Sequence, residues 1–284
     1  MPIELATKFL PYTDEIFSTE SRKSLLTNQD FSWIGAHSVR IHKISTSAMN
    51  DYGRGGPATG NWSRYGPVAS LDATTKEMTL TKDRSFTFAI DALDEDETAQ
   101  QLAAATALAR QLREVVIPKV DSCTYAQMCA KAGSLPDPLS LTSANIYAQV
   151  VAASQALDEA QVPEDNRVLM VTPATYALLK QSKDVEMETD IGNDMRLRGV
   201  ITMLDGATVL KVPASRLPEN FGFMLAHPCS TVAPTKLEAY NIHQNPPGIS
   251  GSLVEGRICY GAFVLANKAK GIYYQAQPAK TKTK

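Results

Sequence analysis

The stretch that most constrains the fold is residues 45–76, which is rich in glycine and aromatic residues and poor in aliphatic ones. Its glycines, prolines and aromatic residues are Gly53, Gly55, Gly56, Gly60, Gly66, Pro57, Pro67, Tyr52, Trp62 and Tyr65. A structureless loop of this length is uncommon inside a compact domain. The sequence therefore predicts a two-stranded ribbon, whose arms of roughly 16 residues would reach roughly 50 Å at about 3.3 Å per residue. Because an isolated ribbon is only marginally stable in water, we expect it to lie against another subunit.

Strand patterns flank this stretch on both sides. Before it, the apolar residues of 31–44 suit a strand, and they keep odd-even spacing from Val39 onward. After it, residues 77–92 give the clearest period of two in the chain, with Lys82–Arg84 as a polar interruption. We predict one strand on each side.

A long helix is predicted over residues 97–130. Acidic residues at 94–97 suit the positive end of a helix dipole. Apolar residues then recur at helical spacing: Leu102, Ala105, Leu108, Leu112, Val115 and Val116. Pro118 is expected to kink the helix rather than end it, and Gly133 offers a C-terminal stop. The rise over these residues is about 50 Å.

The second half mixes helices and strands without regular alternation. We predict a helix capped by Thr142-Ser143, a strand over 167–171, and a helix with Thr172 as N-cap and Pro173 first. Asp205-Gly206 predicts the turn of a hairpin. Further strands are predicted over 221–226, 236–240, 253–267 and 271–275. The fold class is therefore α+β.

The composition excludes several classes of protein. The chain is 44% hydrophobic with a formal net charge of −2, so it can bury a core and is not a basic, wholly nucleic-acid-binding surface. Its four cysteines include no C-x-x-C pair, which indicates reduced thiols rather than a disulfide scaffold or a zinc site. Neither a signal peptide nor a membrane-spanning apolar run is visible.

No motif for catalysis, metal binding or cofactor binding is complete. Gly53-Arg54-Gly55-Gly56 lacks the lysine and hydroxyl of a phosphate-binding loop. Gly53, Gly55 and Ala58 match a relaxed dinucleotide-binding pattern, but a proline-rich loop follows instead of a helix. The four histidines lie outside any metal motif, and no nucleophile elbow occurs. We therefore predict no catalytic residue, no metal and no cofactor.

Five residues are candidates for contacts between subunits. Arg54, Arg64 and Arg84 either pair with acidic groups on neighbours or are ordinary surface arginines, and the sequence leaves both open. Trp62 and Tyr65 are aromatic residues of the ribbon with no apolar stripe beside them.

Several stretches, in order, resemble a known family. They are Ile44–Ser47 into Asp51–Arg54; Leu80–Arg84 with Phe86 and Asp91; Val116–Pro118 with Asp121; Ala156–Ala160 to Val162-Pro163; and Val254–Arg257 running to Lys270–Tyr273. This ordered set resembles the tailed-bacteriophage major capsid proteins of the Hong Kong 97 type. The resemblance covers nearly all of the chain.

The resemblance implies a domain plan. Residues 1–30 would be an N-terminal arm, although a short helix packed on its own domain is equally open. Residues 31–92 would hold strands and an extended loop (45–76) that overlaps the next subunit. Residues 93–141 would carry the spine helix of a peripheral domain, 142–250 a mainly axial domain, and 251–284 returning strands with a basic tail.

The resemblance also implies a function, a location and partners. The chain would be a structural capsid protein that self-assembles as hexamers and pentamers into an icosahedral head, in the host cytoplasm and then in the virion. Further partners would be a portal, a separate scaffolding protein and packaged double-stranded DNA, held by weak non-specific contact. Alternatives are an encapsulin-like nanocompartment shell and, more remotely, a soluble α+β enzyme.

Overall fold

The computed structural model describes residues 21–28, 38–44, 46–56, 62–67, 70, 73–80, 82–93, 104–182 and 203–279. The chain divides into two compact units, residues 33–80 and the remainder. Predictions for the N-terminal arm before Ser21, the start of the long helix and the last five residues of the basic tail lie outside the described residues.

The unit 33–80 contains a two-stranded antiparallel sheet. Strand β1 (Ser38–Ile44) pairs with β2 (Ala73–Thr79) over its full length. The predicted arms of roughly 16 residues are wrong, because each strand has seven residues and the described part of 46–70 forms turns and bends. Glycine and proline explain the shortfall: glycine weakens a strand, and proline cannot donate to a ladder.

The predicted single strand over 77–92 is also wrong, because the chain changes sheets there. Strand β2 ends at Thr79, and β3 (Lys82–Asp91) joins a three-stranded antiparallel sheet with the order β3-β10-β9. Strand β9 is Thr235–Gln244 and β10 is Gly251–Tyr260. Lys82–Arg84 lie inside β3 rather than interrupting it.

A long helix packs on this sheet. It comprises α1 (Ala104–Gln111), a π-helical turn (Leu112–Val116) and α2 (Ile117–Ala130). The helix passes through Pro118, and the π turn lies directly before that residue. Ile117 N–H donates to Leu112 O, five residues back. Because a proline ring clashes with the carbonyl four residues earlier, this wider turn relieves the conflict.

The predicted stop at Gly133 needs correction. Helix α2 ends at Ala130, and the N–H of Lys131 donates to Gln127 O. A Cβ on Gly133 would lie 2.4 Å from the Ala269 carbonyl carbon. This glycine therefore permits a close approach of two backbones rather than ending the helix.

The second sheet has five strands in the order β12-β7-β4-β6-β5. The strands are β4 (Val168–Val171), β5 (Met203–Leu204), β6 (Ala207–Lys211), β7 (Phe221–Ala226) and β12 (Ile272–Ala276). Strands β4 and β6 are parallel, and the other pairs are antiparallel.

Both faces of this sheet are covered. Leu169 and Phe223 face a cluster that includes α3 (Ile146–Glu159) and α4 (Pro173–Gln181). On the other face, Met170 and Met224 meet Leu26 and residues of α2. Every residue of β4 and β7 is buried, as expected for central strands between two layers.

Local signals in the second half have mixed outcomes. The Thr172 cap is confirmed, since its Oγ1 accepts from Thr175 N–H at 3.1 Å. The hairpin is confirmed, with Asp205 and Gly206 at φ of 49° and 72° between β5 and β6. The predicted Thr142-Ser143 cap is wrong, because Asn145 is the N-cap residue and Thr142 begins the preceding turn.

The predicted strand over 253–267 is divided. Strand β10 ends at Tyr260, and β11 (Phe263–Val264) pairs with β8 (Thr231–Val232). A 3₁₀ helix, Ala266–Gly271, then leads into β12. The predicted domain boundary at residue 250 falls inside the β9–β10 hairpin, and the chain passes from the five-stranded to the three-stranded sheet near residue 235.

Candidate assembly surfaces

The outer loop, defined as residues 46–67, has a definite conformation in its described parts, 46–56 and 62–67. Gly53 N–H donates to Arg64 O at 2.9 Å, and Asn50 Nδ2 donates to Tyr65 O at 3.4 Å. The rings of Tyr52 and Tyr65 meet edge to face with centroids 5.0 Å apart. These contacts hold the two halves of the loop together.

Glycine is required at the turn of this loop. Gly56 N–H donates to Gly53 O at 3.2 Å, and Gly56 has a φ of 131° that favours glycine. A Cβ on Gly53 would lie 2.3 Å from Gly56 O. The glycines read from the sequence therefore shape a tight turn rather than a phosphate cradle.

The described part of the outer loop contains no buried residue. Trp62 is 85% exposed and Tyr65 78% exposed, and Met49 is fully exposed. Since burying such side chains is strongly favourable, a patch of this kind marks an interaction surface.

Four of the five predicted contact residues lie on this loop. They are Arg54, Trp62, Arg64 and Tyr65, and all four are exposed. Among the residues that the structure describes, no acidic group forms an ion pair with Arg54 or Arg64. Their role in subunit contacts stays a prediction.

Arg84, the fifth candidate, lies on β3 rather than on the outer loop. Its side chain lies near Tyr260, whose pKa is raised chiefly by burial. The two residues lie on one wall of an open cavity of about 310 Å³ between the three-stranded sheet and the long helix. Sequence reasoning found Arg84 but not this cavity, because its other walls come from distant parts of the chain.

The opposite face of the three-stranded sheet is polar. Arg257 donates to Asp83 through Nε at 3.0 Å and through a terminal nitrogen at 2.5 Å. This hydrogen-bonded pair lowers the pKa of the Asp83 carboxyl. Both residues belong to stretches that carry the family resemblance.

Gly256 also belongs to one of those stretches and pairs with Phe86 across the sheet. A Cβ on Gly256 would lie 2.2 Å from the Phe86 ring. The glycine therefore makes room for an aromatic ring that covers the backbone of the neighbouring strand.

The described end of the N-terminal arm, residues 21–28, packs on its own unit. It forms a 3₁₀ turn (Lys23–Leu26), with Leu26 fully buried. Asn28 N–H donates to Thr231 O at 2.7 Å, and Lys23 Nζ donates to Thr235 Oγ1 at 2.8 Å. For these residues the structure agrees with the intramolecular alternative.

A buried ion pair anchors this segment. Asp121 on α2 is 1% exposed; it accepts from Arg216 at 2.9 Å and from Ser21 Oγ at 2.6 Å. Nearby, burial raises the pKa of Tyr125 far above its usual range. Sequence reasoning missed Arg216, although an aspartate within the apolar stripe of a helix signals a buried partner.

The described residues contain no metal-binding cluster of histidine, cysteine, aspartate and glutamate. His227 accepts a hydrogen bond from Cys229 N–H through Nδ1 at 3.2 Å, and burial lowers its pKa. Asp91, at the start of the acidic run, accepts from Leu93 N–H at 2.9 Å. Residues 94–97 lie outside the described part. None of the helices that the structure describes is long and apolar enough to span a bilayer.

Comparison with solved structures finds one recurring fold. The chain is similar to the structure of Mycobacterium phage Che8, at 18% identity and a TM-score of 0.71 over 97% of this chain and 96% of that chain. It is similar to the capsid of cyanophage P-SCSP1u, at 13% identity and a TM-score of 0.75, covering 98% and 94%. It is also similar to a virus-like particle from Pyrococcus furiosus, at 13% identity and a TM-score of 0.56, covering 91% and 92%.

Comparisons of the sequence then identify the family. A comparison with curated proteins gives no match. A family model described as phage capsid protein matches residues 73–275. The architecture is that of a shell-forming protein of the Hong Kong 97 type, and the predicted α+β fold is confirmed. The chain belongs to the phage capsid protein family.

The protein is a structural major capsid protein that forms the phage head shell, and its location is the virion capsid. The predicted function is confirmed, and the nanocompartment alternative is not favoured.

Proposed function

We propose that copies of this chain associate as hexamers and pentamers through the outer loop, which overlaps the adjacent copy. One observation carries this proposal: internal contacts join the described parts of the loop, yet the large apolar side chains there are exposed. Trp62 and Tyr65 have no apolar cover comparable to that of a core residue. Burial of apolar surface stabilises by about 25 cal/mol per Å², so a copy that covers these rings gains appreciable free energy.

Internal order lowers the free energy required for association. The Tyr52–Tyr65 ring contact and the Gly53–Arg64 hydrogen bond fix the loop before a partner arrives. A preorganised segment loses less conformational entropy on binding than a disordered one. Many such contacts, repeated around a closed shell, add to a stable assembly although each is weak.

The two sheets are proposed to have different places in the shell. The three-stranded sheet with the long helix forms the peripheral domain. The five-stranded sheet with α3 and α4 forms the axial domain, around the fivefold and sixfold centres. The distinct cores of the two sheets support this division.

Further partners are proposed to be a portal, a scaffolding protein and double-stranded DNA. The formal net charge of −2 supports weak, non-specific contact with DNA, because a strongly basic lining would hold the packaged polymer tightly. The proposal includes no catalytic activity.

Two loop variants test the proposal. The first deletes Gly53–Tyr65, and the second replaces these residues with a glycine-serine segment of equal length. We expect both to give folded chains that form no closed shells, by circular dichroism and negative-stain electron microscopy. Normal particles from either variant contradict the proposal. The second variant keeps the loop length, so its failure assigns assembly to the side chains.

A further inference from the structure

We propose that the cavity beside Arg84 receives the indole of Trp62 from a second copy of this chain. The inference rests on the proposed function, because it requires the outer loop to reach a neighbouring copy. It adds the receiving site and the chemistry of recognition.

The cavity combines an apolar floor with a cationic rim. Phe86, Val116 and Ile258 supply the floor, and Arg84 and Lys119 supply the charges. The volume is about 310 Å³, and the cavity opens to solvent. None of the described residues that line it is acidic. An apolar guest with a negative electrostatic face fits this arrangement better than an aliphatic or cationic guest.

Aromatic rings meet that requirement, and tryptophan meets it best. The face of an indole attracts lysine and arginine cations within about 6 Å, and it does so more strongly than tyrosine or phenylalanine. Arg84 lies on the wall of the cavity beside Tyr260. Lys119 is exposed and lines the same cavity as Val115, which lies about one helical turn earlier in the chain.

Trp62 is the side chain of this protein that we propose enters the cavity. It is 85% exposed, so no pocket of its own copy encloses it. It lies on a loop braced by the Tyr52–Tyr65 contact, which presents the indole at low entropic expense. Met49, Tyr52 and Tyr65 are the other large exposed side chains in the described part of the loop, and the experiments below separate them from Trp62.

Site-directed disulfides test the geometry. Trp62→Cys combined with Val115→Cys, at the exposed edge of the cavity, is expected to give a ladder of linked chains in oxidised shells. Dithiothreitol should dissolve the ladder. The controls are each single variant, which account for the native cysteines, and Trp62→Cys with Val151→Cys on α3. Shells that link no better than the controls overturn the inference.

A double-mutant cycle tests the chemistry and serves if the cysteine variants do not assemble. The variants are Trp62→Leu, Lys119→Met and their combination, with Lys119→Arg as the conservative control. We expect each single variant to speed shell dissociation in urea several-fold, and the double variant to be no faster than the faster single variant. Lys119→Arg should behave as the unmodified chain. Independent effects that multiply in the double variant contradict the inference, because they show no coupling between the two sites.

The outcomes distinguish the two proposals. If the loop deletion still forms shells, the proposed function fails. If the deletion abolishes shells but Trp62→Leu shells are as stable as the unmodified ones, the loop acts through its other residues. In that case only the assignment of Trp62 to the cavity is overturned.

Discussion

The five-stranded sheet and the outer loop differ in how far they bury their side chains. Strands β4 and β7 are buried at every position and covered on both faces by helices of the same chain. The outer loop buries none of its described residues, although it contains some of the largest side chains in the chain. The core of the first region is therefore complete within one copy, whereas the second is an exposed surface that we propose another copy covers.

Removal of a core ring should produce the largest change in folding. Phe223→Ala deletes a fully buried side chain from the centre of β7. We expect the free energy of unfolding to fall by about 3–5 kcal/mol, because of lost burial and the cavity left behind. Urea denaturation of the unassembled chain measures this, with the exposed Val151→Ala as control. An effect as small as that of the control would contradict the self-contained core.

The buried ion pair should give the next largest effect. Arg216→Met leaves the Asp121 carboxylate buried without its cation, and we expect a loss of about 3 kcal/mol. Urea denaturation of the unassembled chain measures this loss. Asp121→Asn combined with Arg216→Met should recover part of the stability; no recovery would argue against an electrostatic cause.

A buried thiol should produce a smaller, pH-dependent effect. Burial raises the pKa of Cys129 from its ordinary value of 9 to about 12. A raised pKa in the folded state gives stability that is complete below pH 9 and is lost as the pH rises toward 12. Between pH 8 and pH 10 the free energy of unfolding of the unmodified chain should fall. We expect that of Cys129→Ala to fall by about 1 kcal/mol less over the same range. Identical pH profiles of unfolding would refute this origin.

Trp62→Ala should have the smallest effect on the isolated chain. Because the ring is 85% exposed, we expect the free energy of unfolding to change by less than about 0.5 kcal/mol. The yield of closed shells, measured by electron microscopy, should nevertheless fall clearly. A large loss of folding stability instead would place Trp62 in an internal core and remove the contrast between the two regions.

Sequence predicted the elements whose signals are local. Thr172-Pro173 and Asp205-Gly206 each encode a cap or turn within a few residues, and both are present. Sequence does not predict the division between β2 and β3, because the same alternation appears before and after the polar Lys82–Arg84 while the partner strand changes. A period reports which face a side chain takes, not which strand lies beside it.

The candidate surfaces show the same limit. Exposed aromatic residues on the outer loop could be predicted, since glycines and prolines surround them. The Asp121–Arg216 pair and the cavity beside Arg84 join residues far apart in sequence, so they depend on the tertiary fold. The same limit applies to Gly133, for which the sequence predicts a helix stop. The backbone at Ala269, which approaches Gly133 closely, belongs to a distant segment of the chain.

The π-helical turn at Leu112–Val116 gives the long helix one place where its length can change. A turn of this kind holds one more residue than an ordinary α-helical turn, so deletion of one residue there would leave a regular helix whose later side chains keep their directions. A one-residue deletion within α1 has no extra residue to remove, and it would rotate everything after it by about 100°. Val116 and Val120 would then leave the sheet that they pack against. Changes of length in α1 should therefore be far more harmful than a deletion inside the π turn.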